Sequence, residues 1–97
     1  MALINTFVGH QNAVLCLAFA TGSKYLASGG KDGNILLWNL ETNSFIKSKN
    51  LQFPVNQLAF SSVSYTLAAA TDNGIYIWDL VKDQIIAHVE VHVGEDE

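Results

Sequence analysis

Apolar residues along this chain come in short blocks, each closed by polar or glycine-rich residues. The run at residues 14–19 (VLCLAF) is bounded by His-Gln-Asn before it and Thr-Gly-Ser-Lys after it. Its length and flanks predict a strand, because a helix needs a longer block with a 3.6-residue rhythm. Residues 25–28 predict a further strand, residues 29–34 (GGKDGN) a turn and residues 35–39 the strand that answers it. The Asp32-Gly33 pair in that turn is a strong local hairpin signal, since both residue types accept the backbone angles a tight turn demands. Residues 41–44 are polar and turn-like, and residues 45–49 alternate weakly, as an exposed outer strand does. Upstream, residues 5–10 (NTFVGH) follow the apolar pair Leu3-Ile4 and predict a short edge strand running into a Gly9-His10 turn.

The same cycle then repeats. Residues 55–60 match residues 14–19 at an offset of 41, and Trp38 and Asp32 recur as Trp78 and Asp72 at an offset of 40. A fixed period of this length is the mark of a repeat architecture. Residues 67–71 and 75–79 form the second hairpin around Asp72-Asn73-Gly74, and residues 85–91 form a last strand. The inner strands Ile35-Leu36-Leu37-Trp38 and Ile75-Tyr76-Ile77-Trp78 do not alternate, so both faces of each are expected to be buried. Four-stranded units with buried inner strands and polar outer ones suit sheets stacked face to face around an axis, which is the propeller solution.

Composition sharpens this picture. The chain has 97 residues, 49% of them hydrophobic and 14% charged, so either a dense core or a partner must cover much apolar surface. Five Lys+Arg, all lysine, face nine acids, for a net charge of −4. That balance argues against direct contact with nucleic acid, which is held by clustered Lys and Arg. The closest basic pair, Lys47 and Lys49, reads as a solvated strand face. One cysteine, Cys16, excludes an internal disulfide, fits a reducing cytosol and reads as a buried inert thiol. The run at residues 14–20 is too short to span a bilayer, and residues 1–13 lack the Lys or Arg of a signal peptide, so no membrane association is expected.

The spacing from Gly9-His10 to Trp38-Asn39 resembles a WD repeat, whose ends are typically marked GH and WD. The second copy closes on Trp78-Asp79 but has Asn50-Leu51 where GH would stand. The resemblance implies an all-β fold of two four-stranded antiparallel WD-repeat propeller blades plus an N-terminal outer strand. Residues 1–12 would be the outer strand of a preceding blade and its GH turn. Residues 13–49 would be one blade, 50–91 a degenerate second blade and 92–97 an acidic tail. By similarity, His10, Ser28, Asp32 and Trp38 would form the repeat's structural hydrogen-bond network. Its chemistry is sound: a buried indole N–H needs an acceptor, a hydroxyl can receive and pass on, and a carboxylate can accept from imidazole. The second copy retains Asp72 and Trp78 but no histidine, so its network is expected to be incomplete.

That assignment answers an enzymatic reading. Ser28, His10 and Asp32 are the residue types of a hydrolytic triad, but Ser28 sits in a strand among apolar neighbours with no exposed nucleophile position. The GGKDG turn lacks the spacing of a phosphate loop. His88, Glu90 and His92 alternate on one strand face, too few and too one-sided for a metal site. No catalytic residue, cofactor or metal is expected.

Within WD-repeat proteins the chain resembles the receptor for activated C kinase, the seven-bladed scaffold of the small ribosomal subunit. The resemblance rests on SGGKDG and LLWNL (residues 28–33 and 36–40), VNQLAF (55–60), YTLAAAT (65–71), IYIWDL (75–80) and DQIIAHV (83–89). These pieces look like that family's fifth and sixth blades. The resemblance implies a cytoplasmic, non-enzymatic adaptor that binds small ribosomal subunit proteins and kinases of the protein kinase C type. Tyr65 aligns with a tyrosine implicated in kinase docking, beside the plainer reading of a surface or packing tyrosine. The alternative is a WD-repeat adaptor or G-protein beta-like signalling subunit in a complex unrelated to the ribosome. Two blades leave outer faces bare, so either the remaining blades of a longer chain or other copies of this one are expected to cover them.

Overall fold

The computed structural model describes residues 12–22 and 24–90. The expected strand at residues 5–10, His10 and the acidic tail lie outside these. Eight strands follow in order: β1 (Val14–Phe19), β2 (Tyr25–Gly30), β3 (Asn34–Asn39), β4 (Ser44–Asn50), β5 (Val55–Phe60), β6 (Thr66–Thr71), β7 (Gly74–Asp79) and β8 (Gln84–Val89). They form two four-stranded antiparallel meanders, β1-β2-β3-β4 and β5-β6-β7-β8. The fold is all-β, as the strand pattern predicts, and each sheet is one propeller blade.

The repeat extends to irregularities that no hydrophobic pattern reveals. Bulges fall between Val14 and Cys16 in the first sheet and between Val55 and Gln57 in the second. Another pair falls between Leu37 and Trp38 and between Ile77 and Trp78. A bulge inserts one residue on one strand and increases local twist. It recurs at the same two places in both blades. The turns before β4 and β8 repeat as well: Asn43 and Asp83 both take φ = 56°. Asn and Asp tolerate this left-handed conformation better than most side chains.

The blades meet where β5 packs against β1 and β2. Ala27, Ile35 and Leu37 of the first sheet join Leu51, Val55, Leu67, Ala69 and Trp78 in one buried cluster. Gly29 explains the closeness of the approach. A Cβ there would meet Val55 Cγ1 at 2.6 Å and Cys16 Sγ at 2.7 Å, so only glycine lets the Val55 side chain seat against the first sheet.

Burial departs from expectation in one strand. Ile35, Leu36, Leu37 and Trp38 are all buried, as a strand covered on both faces requires. In β7 Trp78 is fully buried, whereas Ile75 is exposed and Ile77 half-buried. Ile75 and Ile77 lie on the face opposite Trp78, which points into the shared cluster. That face of the second blade has no neighbouring sheet among the described residues, so its apolar side chains remain open.

Candidate interaction surface at the seam between the blades

Alternation along β4 puts Lys47 and Lys49 on one face of the strand. The structure turns that face toward the second blade. Lys47 Nζ donates to the Leu80 carbonyl at 2.8 Å, and Lys49 Nζ donates to the Asp83 carbonyl at 3.1 Å. Lys49 also lies 3.5 Å from Asp83 Oδ1 and 5.8 Å from the centroid of the Trp78 ring. The two lysines are therefore half-buried tethers between blades, not a solvated face. Their ammonium groups reach the turn between β7 and β8.

Asp83 collects these contacts. Its Oδ1 accepts the Trp78 indole N–H at 3.0 Å, giving that fully buried ring the acceptor it needs. This hydrogen bond is the main reason the Asp83 carboxyl is held below the usual carboxylate range. Partial desolvation pulls the other way, and the Lys49 and Lys47 charges add to the lowering. Cys16 closes the inner end of the seam, its thiol donating to the Val55 carbonyl at 3.3 Å. Burial pushes its pKa up, against a weaker lowering from a backbone hydrogen bond of Gly29, so the thiolate is disfavoured.

The residues singled out from the sequence are distributed as follows. Trp38 Nε1 donates to the buried Ser28 Oγ at 3.1 Å, and Trp38 meets Phe45 edge-to-face at 5.6 Å. Both Ser28 and Trp38 alternate with the seam residues Ala27 and Leu37 and so lie on the blade's other face. Asp32 Oδ1 accepts the Asn34 N–H at 3.0 Å and pins the β2–β3 turn. Asp72 is exposed and accepts from Asn56 Nδ2 at 2.9 Å, while Trp78 turns to Asp83. The His88 ring stacks on Tyr76 at 4.0 Å, with Nε2 3.2 Å from the Asn73 carbonyl. Among the described residues no three His, Cys, Asp or Glu side chains converge to hold a metal. No helix there is long and apolar enough to cross a membrane.

Where the β1–β2 and β5–β6 turns meet the end of the seam, the chain forms an open groove of about 830 Å³. Its floor includes Tyr25, Leu37 and Phe60, its walls Ile46 and Leu80, and its rim Lys24, Val63, Tyr65 and Val81. Tyr65 is 69% exposed, Val63 93% and Val81 74%. Sequence reasoning found Tyr65 but missed Val63, Val81, Lys24 and the lysine tethers. The one available signal was the two-residue spacing of Lys47 and Lys49, which says they share a face but not which one.

The family model described as WD domain, G-beta repeat matches residues 1–39 and 45–79. Among curated proteins, the chain is 38% identical over 89 residues to the small ribosomal subunit protein RACK1z of Arabidopsis thaliana, covering 92% of this chain and 27% of that protein. It is 39% identical over 89 residues to small ribosomal subunit protein RACK1 of Medicago sativa, with the same coverage. It is 38% identical over 80 residues to RACK1 of Candida albicans, covering 82% of this chain and 25% of the relative. Solved structures titled U3-55K and RRP9 WD40 repeats each superpose with a TM-score of 0.80 at 25% identity, over 89% of this chain and 27% of theirs. The chain thus spans about a quarter of the length of the relatives it matches.

Proposed function

This chain belongs to the WD domain, G-beta repeat family, and on that premise we propose that it is part of a protein-interaction scaffold that works on the small ribosomal subunit without catalysing a reaction. The observation that carries this is the identity of 38% to a protein named for the small ribosomal subunit, shared across 92% of this chain. The geometry agrees with it: the polar side chains at the seam and in the turns are spent on holding blades and turns together. Ser28, the serine grouped above with His10 and Asp32 as triad residue types, is 4% exposed and bonded to Trp38, which suits a structural role.

Kinases of the C type are proposed as further partners, with Tyr65 as a docking position because it stands exposed on the groove rim. The cytoplasm is the proposed location, as the site of assembled small subunits. We assign His10, from the GH turn of residues 1–12, to one structural network with Ser28, Asp32 and Trp38 of the first blade, residues 13–49. The second blade, residues 50–91, would rely on the Trp78–Asp83 bond in place of a histidine. Further blades, from a longer chain or other copies, would cover the open face at Ile75 and Ile77.

Gradient sedimentation of a lysate containing the tagged protein tests the reading. It should travel with small ribosomal subunits at low salt. A protein that stays at the top of the gradient removes the ribosomal assignment.

A further inference from the structure

The groove at the end of the seam has three properties that act together. First, its rim carries uncovered apolar side chains: Val63 and Val81 project from two different turns and are 93% and 74% exposed. Apolar side chains gathered at one concave place mark a contact surface more than the same residues scattered singly. Second, its charge runs against that of the chain. The chain has nine acids to five lysines, yet the residues lining the groove include two lysines, Lys24 and Lys47, and no acid. Lys24 is exposed, and Lys47 spends one of its three N–H donors on the Leu80 carbonyl. The adjacent carboxylate of Asp79 is engaged by its own turn, accepting the N–H groups of Val81 and Lys82 at 3.0 Å each.

Third, the turns are preorganised. Ser61 Oγ accepts the N–H groups of Val63 and Ser64 at 3.2 Å each, and Ser64 Oγ lies 3.0 Å from Thr66 Oγ1. The segment that presents Val63 and Tyr65 is thus held in shape before anything binds, which lowers the ordering cost of binding. The place in the fold matters too. Neighbouring sheets in a propeller pack on blade faces, whereas this groove lies at strand ends between two blades already in contact, so further blades leave it open. Its volume of about 830 Å³ falls within the range of binding clefts.

We propose that this groove docks an acidic peptide segment of a partner protein, with an aliphatic or aromatic anchor residue seated between Val63, Val81 and Phe60 and its carboxylates beside Lys24 and Lys47. This deepens the scaffold reading and rests on it, by stating the chemistry of one partner.

The test uses the 97-residue chain and a short fluorescein-labelled peptide alternating Glu or Asp with Leu and Phe, followed by fluorescence polarisation. The control peptide carries Lys at every acidic position. The acidic peptide should bind saturably and the basic one should not. Binding should weaken between about 0.05 and 0.5 M salt, as screening shortens the reach of the lysine charges. Lys24→Glu should weaken it about threefold or more while Lys24→Arg retains it, and Val63→Ser or Val81→Ser should each weaken it about fivefold. All these positions are exposed, so circular dichroism should show the variants folded as the parent is. Equal binding of the basic peptide, insensitivity to salt, or unchanged affinity in the variants overturns the proposal. So does light scattering that shows the chain self-associating through these residues, with Val63→Ser dispersing it, because the occupant would then be a second copy. If peptide binding fails while sedimentation with small subunits persists, the groove assignment falls and the scaffold reading stands.

Discussion

Replacing Gly29 with alanine should loosen the seam between the blades, and the structure gives enough to estimate by how much. The new Cβ would stand 2.6 Å from Val55 Cγ1, 2.9 Å from Val55 Cβ and 2.7 Å from Cys16 Sγ. None of these is the far end of a flexible side chain, and Val55 is fully buried, so the blades must separate or twist. Overpacking of this kind costs about 1–3 kcal/mol. Alanine recovers roughly 0.5–1 kcal/mol because it loses less backbone freedom than glycine on joining a strand. The net loss is about 0–2.5 kcal/mol, each kcal/mol lowering Tm by roughly 4–8 °C in a domain of this size. Val55→Ala alone should cost about 2 kcal/mol, from lost burial and the cavity it leaves. In the double variant the alanine at 29 enters the space vacated at 55, so the pair should cost about 1 kcal/mol less than the sum. Urea unfolding of the four proteins closes the cycle. If the two losses add within about 0.5 kcal/mol, or if Gly29→Ala alone raises Tm, then contact with Val55 is not why glycine occupies position 29.

Ser28→Ala removes the acceptor of the Trp38 indole N–H inside a buried site. It should cost about 1–3 kcal/mol by urea unfolding, and a loss within error would refute the structural reading of Ser28. Asp83 supplies a pH dependence. Its folded-state pKa is depressed below the unfolded value of about 3.9, so its contribution is complete above that value and is lost as pH falls through the lower folded value. Asp83→Asn keeps an oxygen for Trp78 and tolerates the left-handed turn. Its Tm deficit relative to the parent should therefore be small at neutral pH and vanish in acid. A deficit that grows toward low pH would show that the sign is wrong.

Much of the fold was legible because its determinants are local. The block at residues 14–19 is too short for a helix and is closed by turn residues, and it forms β1 with the expected bounds. The two hairpins follow from Asp32-Gly33 and from Asp72-Asn73-Gly74, where Gly74 takes φ = 121° and a Cβ would strike the Val89 carbonyl. The repeat of 40–41 residues was visible in Asp32, Trp38 and their second copies. The bulges were not, because a bulge is defined by the register between two strands, and the short, weakly alternating outer strands carry too little pattern to show a shift of one residue. The candidate site was legible only at Tyr65. Val63 sits among serines and Val81 beside a lysine, and neither belongs to a periodic pattern that would mark it.

The sequence by itself determined that the chain makes strands, where they turn and that the unit occurs twice. Each of those outcomes depends on residues within one hairpin, where backbone preference and side-chain alternation act directly. Only the tertiary structure decided which face of each sheet is covered. Lys47 and Leu80 are 33 residues apart, Lys49 and Asp83 are 34 apart, and Cys16 and Val55 are 39 apart. Such pairs are set by how one sheet twists and seats on another, to within the width of a single Cβ at Gly29. The same docking leaves Ile75 open in β7 while its counterpart Ile35 is fully buried in β3. Near-identical strands thus end in different surroundings, because burial belongs to the neighbour a strand meets and not to the strand.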